Sequence, residues 1–409
     1  VGASTLGAPA SARDTVANDK PVILAMVLMV GFLSLIVVSG SHYVNVFIPR
    51  QYGKTPTIHT LCKRYHSPNF YHVHTLRETA MKWAIIGAST IAGQWMVDAI
   101  RSAGDDVVAV VSGSTQRAQA FAHTHQIEHP LSHEHALDAL GIDAVYVSNT
   151  NDKHEASVLR AATAGQHVLC EKPLAVDLAA AKRMVQACEQ AGVVMATNHH
   201  LRHNAAHRAM RAHIASQQLG VVSSVRLSHS VYLPKHIQGW RLSDKGAGGG
   251  VVLDIAVHNA DSLAFLLGEY PTHVCAMTSN TGMAQGMEDN AMSVWRYASG
   301  ITAFTHQGFN TPFAETHIQV HGEQASLHGT GILTQAPGGT LQLTDASGTR
   351  DIALDSDNLY ERVVRNMQSA IRGELHANAD GAAGLQSLAV AHAVLASATS
   401  GHTEAVIYP

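Results

Sequence analysis

The sequence predicts an α/β protein in two parts: a parallel sheet sheathed by helices, then an α+β part built on a large, mostly antiparallel sheet. Three observations carry this. Between Met81 and Thr197 short apolar runs alternate with helical stretches. Strands apolar on both faces and joined by helical crossovers make a parallel sheet covered on both sides. Beyond residue 204 the runs follow one another through turns such as Ala298-Ser299-Gly300, and residues 316–321 alternate with period two. That pattern belongs to antiparallel strands with one covered face. Finally, the first strand runs into a glycine-led turn, Gly87-Ala88-Ser89-Thr90-Ile91-Ala92, that opens a helix.

Residues 1–80 differ in kind from the rest. Val22 to Val38 is apolar except for Gly31 and Ser34. A helix over 21–39 would span ~28 Å, about one hydrocarbon core. A secretory signal fits less well, because the run is long and Asp14 and Asp19 precede it. Arg50, Lys54, Lys63 and Arg64 follow the run, so a membrane anchor here would leave the body cytoplasmic. The rival reading is an over-extended frame whose start is Met81. From there, strands are expected at 82–87, 106–111, 143–148, 167–170 and 193–197, with helices at 90–103, 117–123, 153–164 and 178–191. The β-branched content of 106–111 and the amphipathic period of 178–191 are the clearest of these. Together they define a Rossmann-type dinucleotide domain over 81–203.

The second domain, 204–409, opens with a basic helix at 204–217. Strands are expected at 221–233, 272–280, 291–297, 301–309, 317–321, 325–328 and 341–344. Helices at 257–267, 358–372 and 382–399 are expected to cover that sheet. Composition narrows the function. A formal net charge of −4 with 14% charged residues gives no electrostatic case for nucleic acid. Cys62, Cys170, Cys188 and Cys275 are scattered without a CxxC, which suits reduced thiols better than a disulfide framework.

A strand–turn–helix led by Gly87 sets backbone N–H groups and a helix N-terminus against a pyrophosphate. Gly87 and Ala92 hold the outer fingerprint positions, and Ser89 replaces the middle glycine; its hydroxyl can bond a phosphate oxygen. After the second strand, Ser112-Gly113-Ser114-Thr115-Gln116-Arg117 has no carboxylate to hold a ribose 2′-hydroxyl. Ser112 and Arg117 suit a 2′-phosphate instead, so NADP(H) is the expected cofactor. Lys172, between Glu171 and Pro173, ends a strand at the ligand-binding edge and can stabilise negative charge on a substrate oxygen. Pro173 restricts it to extended backbone. Asp254 and His258, four apart after Gly248-Gly249-Gly250, would share a helix face. The carboxylate can orient the imidazole and favour its protonated form, as a general acid requires, while the glycines let backbone approach a ligand.

These residues, as GASTIA at 87–92, CEKPLA at 170–175 and GGGVVLDIAVHNAD at 248–261, resemble the glucose–fructose oxidoreductase/inositol dehydrogenase (Gfo/Idh/MocA) family over 81–409. A narrower resemblance, to reductases of an anhydro sugar within it, rests on TNHHLRHNAAHRAM at 197–210, VYLPKHIQGWRL at 231–242 and FAETHIQVHG at 313–322, with the GASTIA turn and the Ser112/Arg117 pair. It implies NADPH-dependent reduction of the C2 ketone of 1,5-anhydro-D-fructose to 1,5-anhydro-D-mannitol. It implies catalytic Lys172, Asp254 and His258, with His258 the proton donor. Asn151 and His154 are implied near the nicotinamide ribose, and Trp240 and Arg241 beside the sugar. Glu171, adjoining Lys172, joins the cofactor set. The resemblance implies a monomer or a homodimer.

Twenty-eight histidines invite a metal reading, densest at His123, His125, His129, His133 and His135. No cysteine joins that group and hydride chemistry needs no metal, so no metal site is assigned. His199, His200 and His203 are expected to line the cleft or bond backbone. Two rivals stand beside the reductase: an NAD-dependent polyol or inositol dehydrogenase, and a cofactor-sensing regulator without chemistry.

Overall fold

The computed structural model describes residues 80–409 and, ahead of them, only four short strands, with Leu28–Val30 paired to Leu33–Leu35 and Val37–Gly40 to Tyr43–Val46. Strands thus take the place of a helix in the described part of 21–39. The rest of that stretch lies outside the described residues.

Continuous apolar runs demand cover on both faces, and six parallel strands receive it. β1 (Lys82–Ile86), β2 (Asp106–Val111), β3 (His129–Leu131), β4 (Ala144–Val147), β5 (His167–Cys170) and β6 (Met195–Thr197) lie in the order β6-β5-β4-β1-β2-β3. The order reverses between β1 and β4, which opens a crevice at their carboxyl ends. β3 falls in the histidine-rich segment, for which no strand is expected, since Pro130 interrupts a run of only three residues. Its helices are α1 (Val97–Ser102), α2 (Thr115–His125), α3 (His154–Thr163) and α4 (Leu178–Ala191). Ser114 caps α2 by accepting from the Arg117 amide, and Asp177 caps α4 through the Ala180 amide. The helix expected over 90–103 is interrupted by a π-turn at Ala92–Met96.

The second sheet has nine strands: β7 (Val222–Ser230), β8 (His273–Ser279), β9 (Asn290–Arg296), β10 (Thr302–Gly308), β11 (His317–Gly322), β12 (Ala325–Thr330), β13 (Thr340–Asp345), β14 (Gly348–Asp351) and β15 (Glu404–Ala405). Their order is β14-β13-β12-β11-β7-β10-β9-β8-β15. Only β7 and β10 pair in parallel. Alternation is clean in β9, where Ala291, Ser293 and Trp295 are buried and Met292 and Val294 are exposed. α5 (Ala205–Ala215), α6 (Lys235–Ser243), α7 (Val257–Leu267), α8 (Leu359–Ile371) and α9 (Gly381–Ser400) complete the chain. α9 is long and apolar enough to cross a membrane, yet it is a largely buried core helix against α4, α7, β6 and β8.

One helix covers a different sheet from the one expected. α8 does not lie on the antiparallel sheet; Tyr360, Val364 and Met367 pack with Trp83, Met96 and Ile100 of the first. Arg365 and Gln368 donate to the Ser102 and Ala103 carbonyls at 2.8 and 3.2 Å, at the end of α1. Those last-turn carbonyls have no partner within their own helix, so α8 supplies one.

Candidate active site

The crevice is closed by glycine. Gly87 has φ of 103°, and a Cβ there would lie 2.5 Å from the Asn149 nitrogen, so only glycine lets β1 and the loop after β4 meet. Ser89 does not aim its hydroxyl outward as expected. It donates to Ser148 Oγ at 2.9 Å and accepts from the Ala92 amide at 3.2 Å. The first turn of a helix needs such an acceptor. What the turn 87–92 keeps for a pyrophosphate is the helix start at Thr90 and Ile91. Ser112 is buried, and its amide donates to Leu131 O at 3.0 Å. Arg117 is exposed in the first turn of α2. A dinucleotide fits these residues: a helix start stands at the switch point, and an exposed guanidinium with no carboxylate follows β2.

Lys172 follows β5, and its peptide bond to Pro173 is cis. Its ammonium donates to Asp254 Oδ1 and to the Asp254 carbonyl, both at 2.8 Å. Arg241 Nε lies 3.4 Å from Asp254 Oδ2. Burial alone would raise the Asp254 carboxyl; Lys172 and Arg241 outweigh it and hold the pKa at about 2. Arg241 also stacks on Trp240, with its guanidinium carbon 4.6 Å from the ring centroid.

His258 departs from expectation. Asp254 spends its hydrogen bonds on Lys172 and Arg241 rather than orienting the imidazole. Val252–Ala256 is a π-turn, and a wider turn breaks the i, i+4 alignment of an α-helix. His258 Nδ1 has no hydrogen-bond partner among the described residues. Nor is the imidazole held protonated: burial, then Lys172, then His200, His229 and His199 push its pKa well below the usual value.

Other expected contacts prove to be supports. Glu171 is turned inward, accepting from Tyr146 and from Asn198 Nδ2, and burial raises its pKa. His154 is fully buried, with Nδ1 3.1 Å from Pro173 O and Nε2 3.2 Å from Asn149 O. It braces the loops after β4 and β5. Asn151 is buried and donates to Gly248 O at 3.4 Å. The three glycines face protein rather than ligand. A Cβ on Gly248 would meet Asn151, one on Gly249 the Asp244 and Trp240 carbonyls, and one on Gly250 the Glu288 carboxylate.

His229 was not singled out from the sequence. It sits 5.9 Å from His258, ring to ring, and pairs with Asn259 Oδ1 at 3.1 Å. The available signal was parity: Val225, Leu227 and His229 share the buried phase of β7. His199 and His200 lie 6.4 and 5.3 Å from His258, so His258 sits in a buried cluster of neutral imidazoles. Among the described residues no group of His, Cys, Asp and Glu is arranged to hold a metal ion.

Two family models match this chain: "Oxidoreductase family, NAD-binding Rossmann fold" over residues 81–199 and "GFO/IDH/MocA C-terminal domain" over 207–328. Over 322 residues it is 47% identical to 1,5-anhydro-D-fructose reductase of Ensifer adhaerens, covering 78% of this chain and 97% of that protein. D-xylose 1-dehydrogenase (NADP(+)) 2 of Haloferax volcanii is 29% identical over 71% of this chain and 89% of its own length. Among solved structures, aldose-aldose oxidoreductase from Caulobacter crescentus, complexed with glycerol, superposes with a TM-score of 0.74 at 22% identity, over 80% of this chain and 99% of that one. Levoglucosan dehydrogenase, in complex with NADH and levoglucosan, superposes with a TM-score of 0.72 at 20% identity, over 80% and 99%.

Proposed function

The chain belongs to the GFO/IDH/MocA oxidoreductase family, and on that premise we propose that it reduces a sugar ketone with NADPH. The substrate proposed is 1,5-anhydro-D-fructose and the product 1,5-anhydro-D-mannitol. The observation that carries the reading is Lys172, an ammonium fixed at the sheet edge by Asp254 and standing beside a buried His258.

An ammonium has three N–H donors. Two are spent on Asp254, which leaves the third for a substrate carbonyl oxygen. Asp254 and Arg241 hold that donor still, so little reorganisation is needed as charge grows on the oxygen. When bound, the nicotinamide supplies the hydride from its C4. His258 is neutral in the free protein, so it must gain a proton from solvent before it can give one to the new alkoxide. One proton is consumed per ketone reduced, and the rate declines as pH rises. The turn 87–92 would hold the pyrophosphate, and Ser112 and Arg117 the 2′-phosphate. Trp240 and Arg241 would flank the sugar. The catalytic part is read as cytoplasmic, acting as a monomer or homodimer.

The test is NADPH consumption by the chain with 1,5-anhydro-D-fructose, beside NADH and a panel of polyols and inosones. NADPH-selective turnover is expected. Oxidation of a polyol by NAD, with the anhydro sugar inert, would replace this reading with that of a polyol dehydrogenase.

A further inference from the structure

α8, the helix that returns to the first sheet, brings Tyr360 between two rings. Tyr360 stacks on Trp95 with centroids 5.6 Å apart and planes at 15°, and on His200 at 5.0 Å and 16°. Trp95 belongs to the π-turn that continues the glycine-led turn, and His200 opens the 3-10 turn His200–His203 after β6. The edge of His200 meets His258 at 5.3 Å and 79°. A column of rings therefore runs from the dinucleotide turn to the proton-handling histidine. Tyr360 and Trp83 are among the largest fully buried side chains. The Tyr360 hydroxyl and His200 Nδ1 have no hydrogen-bond partner among the described residues; apart from the Asn198 backbone bond to the His200 ring, shape sets how the rings sit.

We propose that Tyr360 is a positioning residue for the reaction: it clamps His200 against His258 and so keeps that imidazole dry and in one orientation. The inference rests on the reading of His258 as proton donor. The groups facing His258 are Lys172 from the loop after β5, His199 and His200 from the turn after β6, His229 from β7 and Asp254 from the π-turn before α7. Without the clamp His200 can swing away and water can take its place. The largest of the influences holding His258 neutral, its burial, would then weaken.

The experiment compares Tyr360→Leu with Tyr360→Phe. The His258 imidazole is titrated by NMR on histidine-labelled protein, its resonance assigned by difference with His258→Gln. Kinetics and NADPH affinity are measured in parallel. Tyr360→Phe keeps the stack and should behave as wild type. Tyr360→Leu should move the His258 titration up toward the ordinary histidine range, which eases protonation, and yet lower kcat about tenfold or more because the imidazole no longer points in one direction, with KM and NADPH affinity within about twofold. An unmoved titration in a folded Tyr360→Leu protein, or an equal loss of kcat in Tyr360→Phe, overturns the proposal. Should Tyr360→Leu fail to fold, His200→Leu removes the last ring alone and must move the titration in the same direction, or the proposal falls. If the wild type turns over no sugar, the reading of the reaction fails while the titration still decides the clamp.

Discussion

At Asp254 two cations share one buried carboxylate, and neutralising it strands both. D254N keeps the shape but leaves Lys172 and Arg241 without their counter-charge, 2.8 and 3.4 Å away. Breaking a buried pair from one side costs about 3 kcal/mol or more, and a wandering ammonium no longer meets the carbonyl oxygen in one place. A loss of kcat of about 100-fold or more is expected, with a lower thermal midpoint. Steady-state kinetics that stay within a few-fold of wild type would remove Asp254 from the machinery. Arg117, exposed in the first turn of α2, should behave differently. R117A is expected to weaken NADPH binding about tenfold or more and leave NADH unchanged, as isothermal titration would read. A parallel loss for both cofactors would end the 2′-phosphate assignment. Lys172 was legible in the sequence because a strand end fixes where a side chain emerges. The partner of Asp254 was not, because a π-turn changes which side chains align and leaves no mark in the spacing.

Elements show the same division. The helices Leu178–Ala191 and Val257–Leu267 match the sequence reading residue for residue, since Asp177 and Gly192 bound the first and Gly268 in left-handed conformation ends the second. Which sheet a helix covers is another matter. α8 carries an amphipathic pattern that would suit either sheet, and it chose the first because Trp95, Met96 and the end of α1 offered a matching surface. The Gly248-Gly249-Gly250 turn gives a test at this scale. Gly250 has φ of 106°, and a Cβ would strike the Glu288 carboxylate, which also accepts from the Val252 amide. G250A should therefore cost about 2 kcal/mol or more through strain and a lost cap. Gly113 has no neighbour within 4 Å of a built Cβ and no positive φ, so G113A should be neutral to stability. Denaturant unfolding of the two variants separates them, and equal midpoints would refute the packing argument.

For the whole molecule, burial of histidine governs the response to acid. The number of histidines is visible in the sequence, but where they go is not, because imidazole suits either water or core. His199, His207 and His229 have pKa values of about 4, and His200 and His203 of about 3, against an ordinary 6.5, in each case chiefly through burial. Between pH 6.5 and about 4 the unfolded chain takes up protons that the folded chain refuses, so stability rises with pH across that window and levels off above it. Each such residue is worth about 3 kcal/mol across the window, and a few together rival the whole net stability of a domain. Urea unfolding followed from pH 8 downward should show stability falling steeply below pH 6.5. The protein should unfold well before pH reaches about 2, where Asp254 takes its proton. His207 isolates the cause: it is fully buried and neither ring nitrogen has a partner among the described residues. H207L removes a polar group that gains nothing from burial, so stability at pH 8 should hold or rise. The slope below pH 6.5 should fall by one proton. A slope identical to wild type would mean that His207 reaches water in solution, and the acid sensitivity would then belong to other groups.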